Sequence, residues 1–334
     1  QAITLATAMA GGEKRPAATL LEALGVLESL PSESRSRFDK IFDVQYLQGE
    51  QVIPEALAGS VKRWFALPGD DMSGEAAMKR ARVQSTISVF NRFTCEQTLF
   101  NPSRSARPIV SVRVSDDAVN AEIEACRGVG KCDFCDPHNK TAAETWGRIN
   151  STHCLTCSNV AKFAGCHGVL ILKEHHPLQW GREVIADALL TAQEWHRRCN
   201  EMKPECKFPV TMWNCLRRAG GSQLHGHLQM VLLPTRFPSL VEQLMRSARE
   251  FCSAERRDYF EELLWCHDQL GLSCRSGEAA AFAHIAARKE REIMILAPAL
   301  TGDLIDLVHL SLRVLVDDFG VRCFNFGMYH LPLG

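Results

Sequence analysis

The stretch Gly220-Gly221-Ser222-Gln223-Leu224-His225-Gly226-His227-Leu228-Gln229 sets two imidazoles and a carboxamide at alternate positions. In an extended chain alternate side chains share a face. His225, His227 and Gln229 therefore point one way, while Leu228, Met230 and Leu232 point the other, into a core. Two histidines and an amide on one face suit phosphoryl or nucleotidyl transfer. A neutral imidazole can attack phosphorus and carry the transferred group as a phosphoramidate. Its second ring nitrogen must be held by a hydrogen bond, so that the attacking nitrogen stays unprotonated. A neighbouring glutamine can donate to a phosphoryl oxygen and stabilise developing charge. Gly220, Gly221 and Ser222 are small enough for a ligand to approach the backbone. The competing reading of H-x-H alone is a pair of ordinary histidines on a solvated strand.

Cysteine spacing adds a second chemistry. The chain has fourteen cysteines, with C-x-x-C pairs at Cys132/Cys135 and Cys154/Cys157. Such pairs suggest metal binding or redox chemistry before structural disulfides, and the expected compartment is a reducing one: cytoplasm, or an organelle interior after removal of a transit peptide. Read by spacing alone, Cys132-x2-Cys135-x18-Cys154-x2-Cys157 falls in the range of a four-cysteine zinc site. Cys199, Cys206, Cys215, Cys252, Cys266 and Cys323 read as free buried cysteines.

The elements that must position these groups are a mixture. GVLILK (168–173), FPVTMW (208–213), HLQMVLL (227–233), AAAFAHIAA (279–287), EIMILA (292–297) and FNFGMYHL (324–331) read as strands, as does IVSVRV (109–114). Helices are expected over 183–203, 240–252 with a Ser239/Glu242 capping box, 257–270 and 303–317. Leu20, Leu21, Leu24, Leu27 and Leu30 recur at helical spacing, and 32–94 reads as helical pieces broken by Pro54, Pro68 and Gly69. Strands and helices alternate without a βαβ rhythm, so the expected class is α+β with a mainly antiparallel sheet and flanking helices.

The 334 residues carry 46% apolar and 23% charged residues, a globular mix that excludes a disordered or collagen-like chain. Lys+Arg number 38 against 39 Asp+Glu, a net charge of −1, so no nucleic-acid or membrane surface is expected.

The ordered set of motifs resembles the galactose-1-phosphate uridylyltransferase family of the histidine-triad (HIT-like) superfamily. Gly-Gly-Ser-x-x-His-x-His-x-Gln is similar to its active-site strand, with Gly226 where the family has proline. Phe100-Asn101-Pro102 with Arg104, Arg107 and Pro108 resembles an early strand and an Arg-x-x-Arg-Pro signature. Cys132-Asp-Phe-Cys135 resembles its zinc knuckle. Ser158-Asn159, Phe163 and Gly165-Cys-His-Gly-Val169 resemble the approach to the central strand, and Asn214 sits eleven residues before His225. The likeness covers about 98–234 well and 255–334 faintly.

This resemblance implies two weakly related HIT-like halves, over 95–238 and an incomplete 239–334, behind a helical extension over 1–94. It implies His227 as nucleophile, Gln229 on the transferred phosphoryl, Ser222 on a phosphate oxygen, Asn159 and Asn214 at the nucleotide, and Arg104 and Arg107 at its phosphates. Its metal ligands would be Cys132, Cys135, His176 and His225, holding zinc, in competition with the four-cysteine set. The implied reaction is ping-pong transfer between a nucleotide-sugar and a sugar phosphate, as in galactose metabolism, or phosphate itself. Ala297-Pro298-Ala299-Leu300 stands where the family has a Lys/His-containing stretch, so the acceptor site is expected to be incomplete. The alternative is a non-catalytic structural subunit, forming a homodimer or larger assembly through 1–94.

Overall fold

The computed structural model describes residues 20–67, 69–106 and 115–334. The expected strand over 109–114 lies outside these. The described chain falls into two compact units, one from residues up to 106 with Ser247–Ser273 and Phe282–Met294, the other from 115–246 with Cys274–Ala281 and Ile295–Gly334. The division is not the sequential one at 94/95 and 238/239.

The first unit holds helices α1 (Leu20–Gly25), α2 (Ser32–Asp39), α3 (Glu55–Phe65) and α4 (Glu75–Arg82). Between and after them run β1 (Phe42–Glu50), β2 (Val83–Asn91) and β3 (Gln97–Phe100), an antiparallel sheet in the order β1-β2-β3. The N-terminal segment is thus not purely helical. Phe42, Ile87 and Val89 on one face of the sheet are buried with Phe38, whereas Tyr46, Leu47 and Leu99 are exposed. This unit also takes most of the later helical pair. The buried Asn91 Nδ2 donates to Tyr259 Oη at 2.8 Å, and Arg37 makes two 2.6 Å bonds to the Glu262 carboxylate. Glu96 is held by His284 (3.2 Å), Arg288 (2.7 Å) and Thr94 (2.8 Å).

The second unit carries α5 (Asp116–Ala125), β4 (Cys154–Ser158), β5 (Cys166–Leu172), α6 (Arg182–Met202), β6 (Phe208–Cys215) and β7 (His227–Leu233). Next along the chain come α7 (Ser239–Glu255), which belongs to the first unit from Ser247 on, and α8 (Tyr259–Gln269), which belongs wholly to it. Strands β8 (Ser273–Ser276), β9 (Ala279–Ala283) and β10 (Ile293–Leu296) form a small sheet in the order β10-β9-β8. Helix α9 (Gly302–Arg313) and β11 (Phe324–Tyr329) complete the chain. The capping box at α7 takes a different form: the Glu242 carboxylate accepts from Phe237 N–H at 2.9 Å, and Ser239 begins the helix.

Five strands make the main sheet in the order β11-β6-β7-β5-β4, and all four neighbouring pairs are antiparallel. The expected α+β class with a mainly antiparallel sheet is what forms. Residues of the expected second half do not close a sheet of equal size; β11 instead adds to β6, with Asn325 opposite Asn214.

Apolar spacing explains the layering. Ile185, Ala188, Leu189, Ala192, Trp195 and Cys199 repeat at three and four residues along α6 and share one core with Leu228, Met230 and Leu232 of β7. Gly168 is the landing place for Trp195, since a Cβ there would stand 2.7 Å from the indole. The opposite face of β7 is left to His227 and Gln229.

Candidate active site and metal centre

All geometry below lies within the second unit. Strand β7 starts at His227, so His225 precedes the ladder and lies in the irregular approach to it. Gly226 links this approach to the turn after β5. Its N–H donates to the His175 carbonyl at 3.0 Å, and its own carbonyl accepts from Leu172 N–H at 2.9 Å. That crossing brings His175 and His225 together, with ring centroids 4.7 Å apart.

Cys132, Cys135, His175 and His225 form one cluster whose ligand atoms all lie within 4.8 Å of one another. The third member is His175 and not the expected His176. The next ring, His176, turns away: its Nε2 stands 3.2 Å from Asn120 Oδ1, and its Nδ1 accepts from Leu178 N–H at 3.2 Å. The four-cysteine set does not assemble either, because Cys154 and Cys157 are buried in β4 and belong to no such cluster among the described residues.

The donor set fits a cation. His175 Nε2–H donates to the Ile123 carbonyl (3.0 Å) and His225 Nε2–H to the Leu172 carbonyl (2.7 Å). Both unprotonated Nδ1 atoms then face inward, 3.1 Å apart. Two lone pairs at that distance repel unless a positive charge stands between them. Burial pushes the His225 imidazole down to about 4, keeping it neutral and available as a ligand. Burial also pushes the Cys132 thiol up, a cost that a bound cation removes by binding the thiolate. α5 supplies the outer partners, Ile123 for His175 and Asn120 for His176.

His227 is almost completely buried and its Nδ1–H donates to the His225 carbonyl at 2.8 Å. This is the hydrogen bond an attacking imidazole needs, because it leaves Nε2 as the unprotonated nitrogen. Burial pushes the ring below the ordinary histidine range, opposed by that bond. Phe134, in the Cys132–Cys135 knuckle, meets it edge-on with centroids 5.2 Å apart.

Gln229 sits on the same face. Its Oε1 accepts from His167 Nε2–H at 3.0 Å, leaving the amide NH2 to donate elsewhere. His167 is 1% exposed. Phe163 N–H donates to its Nδ1 at 3.4 Å, and the Phe163 ring covers it at 4.1 Å. Asn159 Nδ2 lies 3.0 Å from His167 Nε2, so Asn159 joins this group. Strand alternation could have found His167, which shares a face of β5 with Val169 and Ile171. Asn214 Oδ1 accepts from Asn325 Nδ2 at 2.8 Å, a partner that only the β11–β6 pairing reveals. Ser222 is exposed in the loop between β6 and β7. Arg104 is an exposed residue of the first unit, and Arg107 lies outside the described residues.

Fold and site together define an α+β protein whose knuckle-and-histidine cluster buttresses a strand bearing one further histidine with a free nitrogen. No protein-family model matches this chain, and no curated protein matches it. Solved structures do. An ADP-glucose phosphorylase from Arabidopsis thaliana, with bound ADP-glucose, aligns at TM-score 0.55 and 18% identity, over 72% of this chain and 80% of that one. A galt-like protein from Arabidopsis thaliana aligns at TM-score 0.52 and 18% identity, over 61% of this chain and 76% of that one. The chain shares the fold of these proteins.

Proposed function

We propose that the protein is a nucleotidyltransferase of the galactose-1-phosphate uridylyltransferase type, moving a nucleotidyl group from a nucleotide-sugar to a sugar phosphate or to phosphate. The observation that carries this reading is His227, a buried neutral imidazole whose Nδ1 is committed to the His225 carbonyl and whose Nε2 is free. Fold likeness to an ADP-glucose phosphorylase supports the substrate class. His227 Nε2 attacks the phosphorus bonded to the nucleoside, and the sugar phosphate leaves with the bridging oxygen. The Gln229 amide NH2 donates to a non-bridging oxygen as charge builds there. The acceptor's phosphate oxygen then displaces the histidine, and Nε2 is regenerated. Asn159, Asn214 and Ser222 are the groups assigned to the nucleotide and its phosphates.

Cys132, Cys135, His175 and His225 are the residues that would hold a zinc ion. Zinc bonds of about 2.1 Å to nitrogen and 2.3 Å to sulfur give tetrahedral edges of roughly 3.3–3.8 Å. The Cys132–His225 and Cys135–His225 separations, 3.5 and 3.6 Å, fall within this range, while Cys135–His175 at 3.2 Å and the two Nδ1 atoms at 3.1 Å stand slightly inside it. A bound ion would add rigidity to the segment that orients His227. His227→Asn should abolish release of sugar 1-phosphate from UDP-glucose or ADP-glucose while leaving zinc content unchanged. Full turnover by that variant overturns the proposal.

A further inference from the structure

Two amides compete for one nitrogen of His167, the buried ring on β5 beside Gln229. Gln229 Oε1 stands 3.0 Å from Nε2 and requires a proton there. Asn159 Nδ2 also stands 3.0 Å from Nε2 and requires a lone pair. Asn159 is not free to turn its oxygen inward: Oδ1 accepts from Ala161 N–H at 2.9 Å, and its own N–H is tied to the His167 carbonyl at 3.0 Å. A ring nitrogen carries a proton or a lone pair, never both, so the two amides cannot be satisfied together. Phe163 N–H, 3.4 Å from Nδ1, sides with Gln229 by taking the lone pair at the other nitrogen. Burial, partly offset by the bond to Gln229, keeps the ring below the ordinary histidine range, so at neutral pH it is uncharged and the competition is between tautomers. The charged groups nearby are already engaged. Lys162 Nζ bonds the His167 carbonyl at 2.8 Å and Ser158 Oγ at 2.6 Å, and pairs with Glu144 at 3.5 Å.

We propose that His167 is a positioning residue that couples a nucleotide contact at Asn159 to the orientation of the Gln229 amide. The inference rests on the nucleotidyl-transfer reading of this site. A ligand acceptor that takes the Asn159 NH2 removes the one contact opposing a proton on Nε2. The proton on Nε2 then commits the Gln229 oxygen to His167, and the Gln229 NH2 is left aimed at the phosphoryl group. Without a ligand at Asn159, part of the protein carries the proton on Nδ1, and the Gln229 amide has no donor to hold it. Recognition of the nucleotide thus sets up the group that stabilises charge on the phosphorus oxygens.

The test uses the full chain, zinc-loaded, with nitrogen-15 in its histidines. Two-bond proton–nitrogen spectra at neutral pH read the tautomer, and His167→Gln identifies the ring. Asn159→Ala should raise the share of protein with the proton on Nε2, and Gln229→Ala should move it toward Nδ1. Uridine or adenosine monophosphate should shift the unsubstituted chain the same way as Asn159→Ala. A tautomer that neither substitution moves overturns the proposal, as does a nucleotide that binds by calorimetry without changing His167. Failure of both nucleotides to bind would instead refute the reading of the site on which the coupling rests. Kinetics supply a further readout. His167→Leu should lower kcat for nucleotidyl transfer by roughly 10- to 100-fold with KM and zinc content little changed, and His167→Gln, which keeps a donor, should recover most of it. Full kcat in His167→Leu overturns the proposal.

Discussion

Replacing His175 by alanine should cost the protein its metal, and replacing His176 should not. The two are neighbours in sequence, but only His175 aims Nδ1 at Cys135, at 3.2 Å, and at His225, at 3.1 Å. Apparent zinc binding at four-ligand structural sites is worth about 10–16 kcal/mol, so one ligand of four carries roughly 3 kcal/mol, a Kd weakened about 100-fold. His175→Ala also strands the Ile123 carbonyl, adding about 1 kcal/mol of destabilisation. His176→Ala removes only a bond to Asn120 and the one from Leu178 N–H, about 1–2 kcal/mol of stability with zinc retained. Competition against a chromophoric chelator, with metal counted by plasma mass spectrometry, reads both. The reasoning fails if His176→Ala releases zinc while His175→Ala keeps it at unchanged affinity.

Gly226→Pro should weaken zinc binding and lower stability by about 1–3 kcal/mol, because it deletes the N–H that bonds the His175 carbonyl and drives a side chain to within 3.0 Å of Leu172; denaturant titration and zinc content check it together. Gly168→Ala should cost about 2–3 kcal/mol by urea unfolding, since its methyl would stand 2.7 Å from the Trp195 indole. Glu96 loses from burial but gains more from His284, Thr94 and Arg288, which together hold its carboxyl below the usual range. Its contribution is therefore present above the ordinary carboxylate pKa and lost as pH falls through the depressed one. Glu96→Gln should destabilise by about 2 kcal/mol at neutral pH, with the difference from the unsubstituted protein shrinking in acid.

Much of the site was legible because strands and helices have periods. Leu228, Met230 and Leu232 facing α6 leave His227 and Gln229 on the other face, and α6 is visible in its apolar stripe. Periodicity ends where regular structure ends, and the choice between His175 and His176 falls in the turn after β5. It is decided by the bond from Gly226 N–H to the His175 carbonyl, contributed by a residue 51 positions later. The sheet of β1 and β2 has no clear strand alternation in the sequence, because its strands mix Gln, Ser and Thr with exposed Tyr46 and Leu47. Asn325 was hidden for a topological reason: nothing local says that β11 adds beside β6.

Transfer through His227 requires a covalent nucleotidyl-histidine there. The measurement is intact-mass spectrometry of the zinc-loaded protein after separate incubation with UDP-glucose and ADP-glucose, quenched in base and compared with an acid quench. The expected product carries an added nucleoside monophosphate from one of the two donors, stable in base and lost in acid, and absent from His227→Gly. An unmodified mass with both donors, from a protein that still hydrolyses or exchanges them, would contradict it.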